Sequence, residues 1–409
     1  MTVSKHWVLY LAMLSVGMGQ TVIFAVMPML GRELGLDQII FHLPFGIEYQ
    51  AKELAITALS ALTALTFSLI SPLWGRLSDR FGRKPIIIIG LLGYTFGVSI
   101  FNAAAYAGLT AILNGGLLYL LLLITRIIHA SVMSAAFPAA SAYIVDVTPA
   151  EKRTQGLSKL SAAMQMGVML GPILAYLVVY SYLMPFVVQS LFTLIAAVLV
   201  LLFLPKKQQE KNNAVYVPTK KLRFLDPRYR FFLIQALAIY IGMGMVQQTL
   251  GFYFQDVLHI SGLEAAKLYS LAMIISSAAM LFAQLILVQR LKLAPQQFIL
   301  LGLPFFVIGY LLLALANSAM PLYAGMALFG FAMGCCGPSL SAAASLTVNN
   351  TEQGALAGLI GSIAGMGFVI GPLLGGFLYA LNSSLPYLAA TAIAVTLLIF
   401  VLFKRINLL

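Results

Sequence analysis

Two ionisable side chains, Arg126 and His129, interrupt an otherwise apolar run from Leu117 to Val145. A guanidinium at membrane depth costs several kcal/mol, so it persists where it faces a cavity or a partner, and such a residue is a functional candidate by default. On a helix, three residues put His129 on the same face as Arg126. An imidazole with an ordinary pKa of about 6.5 suits a proton switch. The chemistry on offer is pairing with an anion and reversible proton binding. The competing account is structural: Arg126 bonds backbone carbonyls, and His129 is a satisfied core histidine.

Acids occupy only the edges of the apolar runs, Glu33, Asp37, Glu48, Glu53, Asp256 and Glu264 at one side and Asp79, Asp146, Glu151, Glu210, Asp226 and Glu352 at the other. An interior without carboxylates is neutral to positive, and Coulomb attraction then favours an organic anion or a neutral amphipath over a lipophilic cation. Gln20, Gln165, Gln247 and Gln248, with Thr249, are the candidate hydrogen-bonding groups for such a substrate. Glutamines also stitch helices together. No phosphate loop, metal-ligand cluster or nucleophile with a neighbouring base is present, so the chain reads as a non-enzyme that calls for no cofactor or metal.

The elements that position these groups follow from composition. In 409 residues, 61% are hydrophobic and 9% charged, against roughly 25% charged in soluble domains. Runs of about 20 apolar residues, each able to span a hydrocarbon core roughly 30 Å thick, recur throughout. The first six crossings are Trp7 to Leu30, Leu54 to Trp74, Pro85 to Tyr106, Leu117 to Val145, Leu160 to Tyr182 and Pro185 to Leu204. The next six are Phe231 to Phe254, Ala265 to Val288, Phe298 to Ala316, Leu322 to Val348, Ala355 to Leu381 and Pro386 to Phe403. This divides the chain into a six-helix bundle at 1–204, a basic linker at 205–230 and a second six-helix bundle at 231–409.

The net charge of +12 is explained by a membrane rather than by nucleic acid, because Lys and Arg accumulate on the cytoplasmic side. With both termini cytoplasmic, only Arg32, Lys52 and Lys267 fall outside, and Arg126 falls within a crossing. The linker's lysines and arginines are placed to touch anionic lipid head groups. The first apolar run exceeds a signal-peptide core and lacks a small-residue cleavage site, so it reads as retained. Cys335 and Cys336 are adjacent in an apolar helix and read as packing residues.

Internal duplication is visible. Gly167, Gly171, Pro172 and Pro138 fall opposite Gly367, Gly371, Pro372 and Pro338 at one offset of 200 residues, and Gly17-Met18-Gly19 resembles Gly242-Met243-Gly244 at a larger one. Duplicated halves place a substrate site at their interface near the midplane.

After the second crossing the chain reads Gly75-Arg76-Leu77-Ser78-Asp79-Arg80-Phe81-Gly82-Arg83-Lys84. This resembles the loop 2-3 signature of the major facilitator superfamily, G-x-L-x-D-R-x-G-R-K, at every defined position. Helix count, duplication and linker extend the resemblance over the whole chain. It implies an all-α membrane fold of twelve transmembrane helices in two pseudo-symmetric six-helix bundles. It implies too that Gly75, Asp79, Arg80, Gly82, Arg83 and Lys84, with Asp146 and Arg153, form a conformational latch, Asp79 lying near the start of helix 11. The corresponding loop 8-9 keeps Gln289-Arg290-Leu291-Lys292 without an acid, so the latch is expected on one side only.

Gly367, Gly371, Pro372, Gly375 and Gly376, with Gly358, resemble the family's antiporter motif, which usually lies in helix 5; Gly167, Gly171 and Pro172 form a weaker copy there. Arg126 resembles the family's helix-4 arginine linked to proton coupling in drug antiporters, and Gln20 stands where cation exporters often carry a carboxylate. These likenesses imply a monomeric, proton-coupled exporter of a small organic molecule in the cytoplasmic (inner) membrane, working by alternating access, with His129 or an edge carboxylate as the protonation site. The alternative is an uptake symporter or facilitator for an organic anion, such as a carboxylate metabolite or siderophore.

Overall fold

Backbone polar groups in lipid have no water to bond, so an apolar run closes its hydrogen bonds within itself as a helix. A computed structural model describes residues 6–43, 47–149, 153–205, 222–291, 293–349 and 352–406. Among the described residues, twelve helices are long and apolar enough to cross a membrane. The first six are α1 (Trp7–Glu33), α2 (Glu53–Phe81), α3 (Arg83–Leu109), α4 (Gly115–Val147), α5 (Gln155–Val179) and α6 (Met184–Phe203). The second six are α7 (Arg230–Leu258), α8 (Gly262–Arg290), α9 (Pro295–Ala314), α10 (Ala319–Ser345), α11 (Gln353–Leu381) and α12 (Leu385–Phe403). The fold is the expected all-α membrane architecture. One addition is a short hairpin between α1 and α2, strand β1 (Ile40–Leu43) paired with β2 (Ile47–Gln50).

Local chemistry sets the irregularities. Helix α4 loosens into turn at Ser134 and Ala135, where Pro138 lacks an N–H and its ring crowds the carbonyl four residues back. Helix α8 contains one wide π turn at Ala283–Leu287. The charged motif begins inside α2, which runs on past Trp74, and the turn into α3 is made by Gly82 alone. Its φ of 95° lies where side chains with a Cβ are strained.

Contacts divide the chain into two compact units, residues 1–41 with 62–214 and residues 42–61 with 215–409. In the first, α1 packs on α5 and α6, and α3 packs on α4 and α6; in the second, α7 packs on α11 and α12, and α9 on α10 and α12. The same pairing in both units is the duplication made visible in three dimensions.

The register of that duplication differs from the simple overlay of the two Gly-Met-Gly runs. A methyl group on Gly19 would meet the Tyr94 hydroxyl of α3, and one on Gly242 would meet the Tyr310 hydroxyl of α9. Gly171 closes on Thr21, whereas Gly371 closes on Gly244. Gly19 therefore matches Gly242, and Thr21 matches Gly244, so the two runs are out of step by two residues.

Candidate functional site

Helix α4 presents Arg126 and His129 to the inside of the first unit, at 4% and 3% exposure. The Arg126 Nε donates to Thr63 Oγ1 of α2 at 3.0 Å, and its guanidinium carbon lies 5.5 Å from the centre of the Phe101 ring on α3. A guanidinium carries five N–H donors. Among the described residues this is the one hydrogen bond Arg126 makes, and no carboxylate pairs with it. The competing account of Arg126, bonding to backbone carbonyls, is not the arrangement among the described residues: the contacts are to side chains.

His129 is placed differently. Its ring meets Tyr94 edge-on with centroids 4.9 Å apart, and a methyl group on Gly97 would stand 2.7 Å from its Nδ1, so α3 keeps a glycine to admit it. In the second unit, Phe329 occupies the corresponding place on α10 and meets Phe306 edge-on at 5.8 Å. Arg126 corresponds to Met326, which is 1% exposed. The polar pair is thus confined to the first unit, and its counterpart is wholly apolar.

Around this pair the first unit is tied by polar bonds between helices. Trp74 Nε1 of α2 donates to Ser131 O of α4 at 2.6 Å. Gln189 of α6 donates to Ser15 O of α1 at 2.7 Å and to Thr193 Oγ1 at 3.1 Å. Sequence reasoning missed Gln189; a single amide in the apolar sixth crossing was its only signal. The equivalent α8–α10 contact in the second unit uses glycine instead, Gly330 against Ser276 O and Gly334 against Met280 O.

The glutamines separate. Gln20 is half-buried on α1 and Gln165 exposed on α5, both in the first unit. Gln247 and Gln248 are buried in α7 of the second, where Gln247 Oε1 and Gln248 Nε2 have no hydrogen-bond partner among the described residues. The backbone carbonyl of Gln247 accepts from the Tyr269 hydroxyl at 2.6 Å, and Thr249 Oγ1 lies 3.2 Å from the Tyr387 hydroxyl.

Arg83 is the hub of the charged motif. It reaches Asp79 at 2.5 Å, Asp146 at 2.9 Å and Ser78 Oγ at 2.6 Å, binding the α2–α3 turn to the end of α4. Lys84 donates to Leu204 O beyond α6 at 2.6 Å. Arg80 lies over the Phe81 ring, Asp79 keeps 63% of its side chain exposed, and Gly75 meets nothing within 4 Å. The side chain of Arg153 lies outside the described residues, as do Lys292 of loop 8-9 and linker residues 206–221.

The second unit holds an ionic cluster that the sequence did not suggest. Arg228, ahead of α7, donates to Asp226 at 2.9 Å and to Glu352 at the start of α11 at 2.8 Å. Hydrogen bonds to Asp226 and Glu352 raise the Arg228 pKa above its ordinary value.

The small-residue motif packs helices. Gly167 and Gly171 fit against Leu14, Met18 and Thr21 of α1; Gly367, Gly371 and Gly375 fit against Tyr240, Ile241 and Met245 of α7. Pro172 and Pro372 lie inside these helices. Thr21 adds a hydrogen bond to Val168 O at 3.0 Å. Gly376 instead meets Leu54 and Thr57 at the first turns of α2, and Gly358 faces open space.

The family model described as Major Facilitator Superfamily matches residues 9–319 and 292–407. Multidrug resistance protein 2 of Bacillus subtilis (strain 168) is 29% identical over 351 residues, covering 81% of this chain and 82% of that protein. The class C tetracycline resistance protein of Escherichia coli is 28% identical over 340 residues, covering 80% of each. The crystal structure of the nucleoside transporter NupG matches the fold with a TM-score of 0.69 at 12% identity, covering 98% of this chain and 98% of that one. A multi-pass helical chain with this duplicated architecture and this match over nearly its whole length is a transporter, not an enzyme, and belongs to the Major Facilitator Superfamily.

Proposed function

We propose that this transporter is a proton-coupled exporter of small organic molecules, anionic or neutral and amphipathic, working by alternating access in the cytoplasmic membrane. The observation that carries the reading is Arg126, at 4% exposure, with one donor bonded and no described carboxylate beside it. An unopposed guanidinium in low dielectric attracts an anion and repels a lipophilic cation. Gln20, Gln165, Gln247 and Gln248 supply hydrogen bonds to the substrate. Export as the direction is supported by the relatives named as multidrug and tetracycline resistance proteins, at 28–29% identity.

Proton coupling is supported by the likeness of Arg126 to the helix-4 arginine of drug antiporters. The protonation site is His129 or an edge carboxylate; the carboxylate is favoured by the slot of His129, which holds phenylalanine in the other unit. Halves at 1–204 and 231–409 joined by the linker at 205–230 move as a monomer, and the cluster of Asp79, Arg80, Arg83, Asp146 and Arg153 acts as their latch. The charge bias supports cytoplasmic termini.

The test uses inverted membrane vesicles, cytoplasmic face outward, and the fluorescent organic anion carboxyfluorescein. An inside-acid gradient should drive accumulation that a protonophore abolishes. Accumulation that ignores the gradient would sink the antiport reading, and an identical rate in Arg126→Ala would remove Arg126 from substrate selection.

A further inference from the structure

Just ahead of α7, residues 222–229 fold into a compact turn. The hydroxyl of Tyr229, a fully buried residue, donates to Arg223 O at 2.8 Å, and the Asp226 N–H donates to the same carbonyl at 3.2 Å. The Asp226 carbonyl accepts from the N–H groups of Tyr229 and Arg230, and the Arg228 N–H donates to Asp226 Oδ1 at 3.0 Å. The turn is held in one shape from within.

Its tip carries two apolar side chains that the protein leaves uncovered: Phe224 is 45% and Leu225 72% exposed. Both precede the first turn of α7, so neither belongs to the outward side of a crossing helix.

Charge selects the partner. Arg223 and Arg230 flank the tip, are exposed and make no ion pair among the described residues. The acids of this cluster, Asp226 and Glu352, both bond to Arg228, which leaves the rim of the tip basic. Arg230 stands above another uncovered apolar residue, Ile234, four residues on and on the same side of α7. A long basic side chain in such a place lies along apolar surface and carries its charge to the head groups. Beside it, Phe400 of α12 meets the Phe231 ring at 5.1 Å and is itself exposed. An apolar pair rimmed by arginines at the start of a membrane helix fits a bilayer surface with anionic head groups, its side chains entering the acyl boundary and its guanidiniums meeting phosphates.

We propose that the turn at 222–229 is an anchor for anionic lipid, with Phe224 and Leu225 inserted into the leaflet and Arg223 and Arg230 paired with its phosphate groups. Through the bond from Arg228 to Glu352, the anchor holds the starts of α7 and α11 at one depth. It requires the apolar tip to leave water, which head-group contact by the linker's bases does not, and it is independent of the direction and coupling of transport.

The full-length Leu225→Cys protein, labelled with an environment-sensitive fluorophore, is placed in nanodiscs of phosphatidylcholine alone or mixed with phosphatidylglycerol. Cys335 and Cys336 are fully buried, and the wild-type chain gives their labelling background. In the anionic discs, a nitroxide carried high on a lipid acyl chain should quench the label, while aqueous acrylamide should reach it several-fold less than in neutral discs. Arg223→Gln and Arg230→Gln, whose side chains take no part in the Arg228 cluster, should each lower the ratio of inserted to water-exposed label about fivefold. A label open to acrylamide in the anionic discs would overturn the anchor. So would one shielded from acrylamide and nitroxide alike, which would mean docking on protein. Insertion equal in the two lipid mixtures, or unchanged when both arginines are replaced, would overturn the choice of an anionic surface. None of these readings involves a transported substrate, so the vesicle experiment stands or falls separately.

Discussion

His129 packs edge-on against Tyr94 with ring centres 4.9 Å apart. The second unit builds the same contact from Phe329 and Phe306. An imidazole in a slot shaped for an aromatic ring acts first as a packing group, and a glycine opposite, Gly97, makes room for it.

His129→Phe should therefore fold, transport within about twofold of the wild type and keep the wild-type dependence on pH. The check is carboxyfluorescein transport in vesicles from pH 5.5 to 8. A flattened profile in that variant would restore His129 as the proton carrier.

Arg126→Met copies the residue at the equivalent place in the second unit, Met326. Removing a buried charge that no carboxylate offsets also removes its desolvation cost. The variant should melt at or above the wild-type temperature and yet lose anion transport. Loss of both would point to a structural role for the Thr63 bond.

Gly171→Leu and Gly371→Leu force a side chain into Thr21 and Gly244 respectively. Overpacking of this kind costs about 1–3 kcal/mol, read as a lower melting temperature in detergent. Gly358→Ala is the control: with open space around it, its melting temperature should stay at the wild-type value or rise slightly.

Arg83→Gln removes the ionic links to Asp79 and Asp146 at a site 17% exposed. Asp79 is 63% and Asp146 37% exposed, so screening holds each link to about 1 kcal/mol or less, and stability and transport rate should both fall modestly. Arg228→Gln removes the ties to Asp226 and Glu352, in which Arg228 itself is 42% exposed, and should lower the melting temperature only slightly, because solvent screens such pairs.

Much of this was legible in the residues. The twelve apolar runs, the 200-residue offset linking Pro138 to Pro338, and the signature from Gly75 to Lys84 all depend on local pattern. What stayed hidden depends on pairing across distance. Arg228 meets Glu352 and Tyr379 meets Asp256 over separations of more than a hundred residues, and no local rule predicts either. The two Gly-Met-Gly runs misled for a related reason: both glycines contact neighbouring helices, and only the identity of those neighbours reveals the shift. The β1–β2 hairpin went unread because Ile40–Leu43 and Ile47–Gln50 are shorter than any periodicity can resolve.

The wide turn at Ala283–Leu287 sets the angular phase of everything after it in α8. A π turn holds one residue more than the regular ladder needs, so Val288, Gln289 and Arg290 point about 100° away from where an unbroken α-helix would aim them. Deleting one codon within 284–287 would let the ladder close normally and leave that terminal segment correctly aimed. The same deletion in α2, which has no spare residue, would swing Arg76 and Arg80 onto a different face.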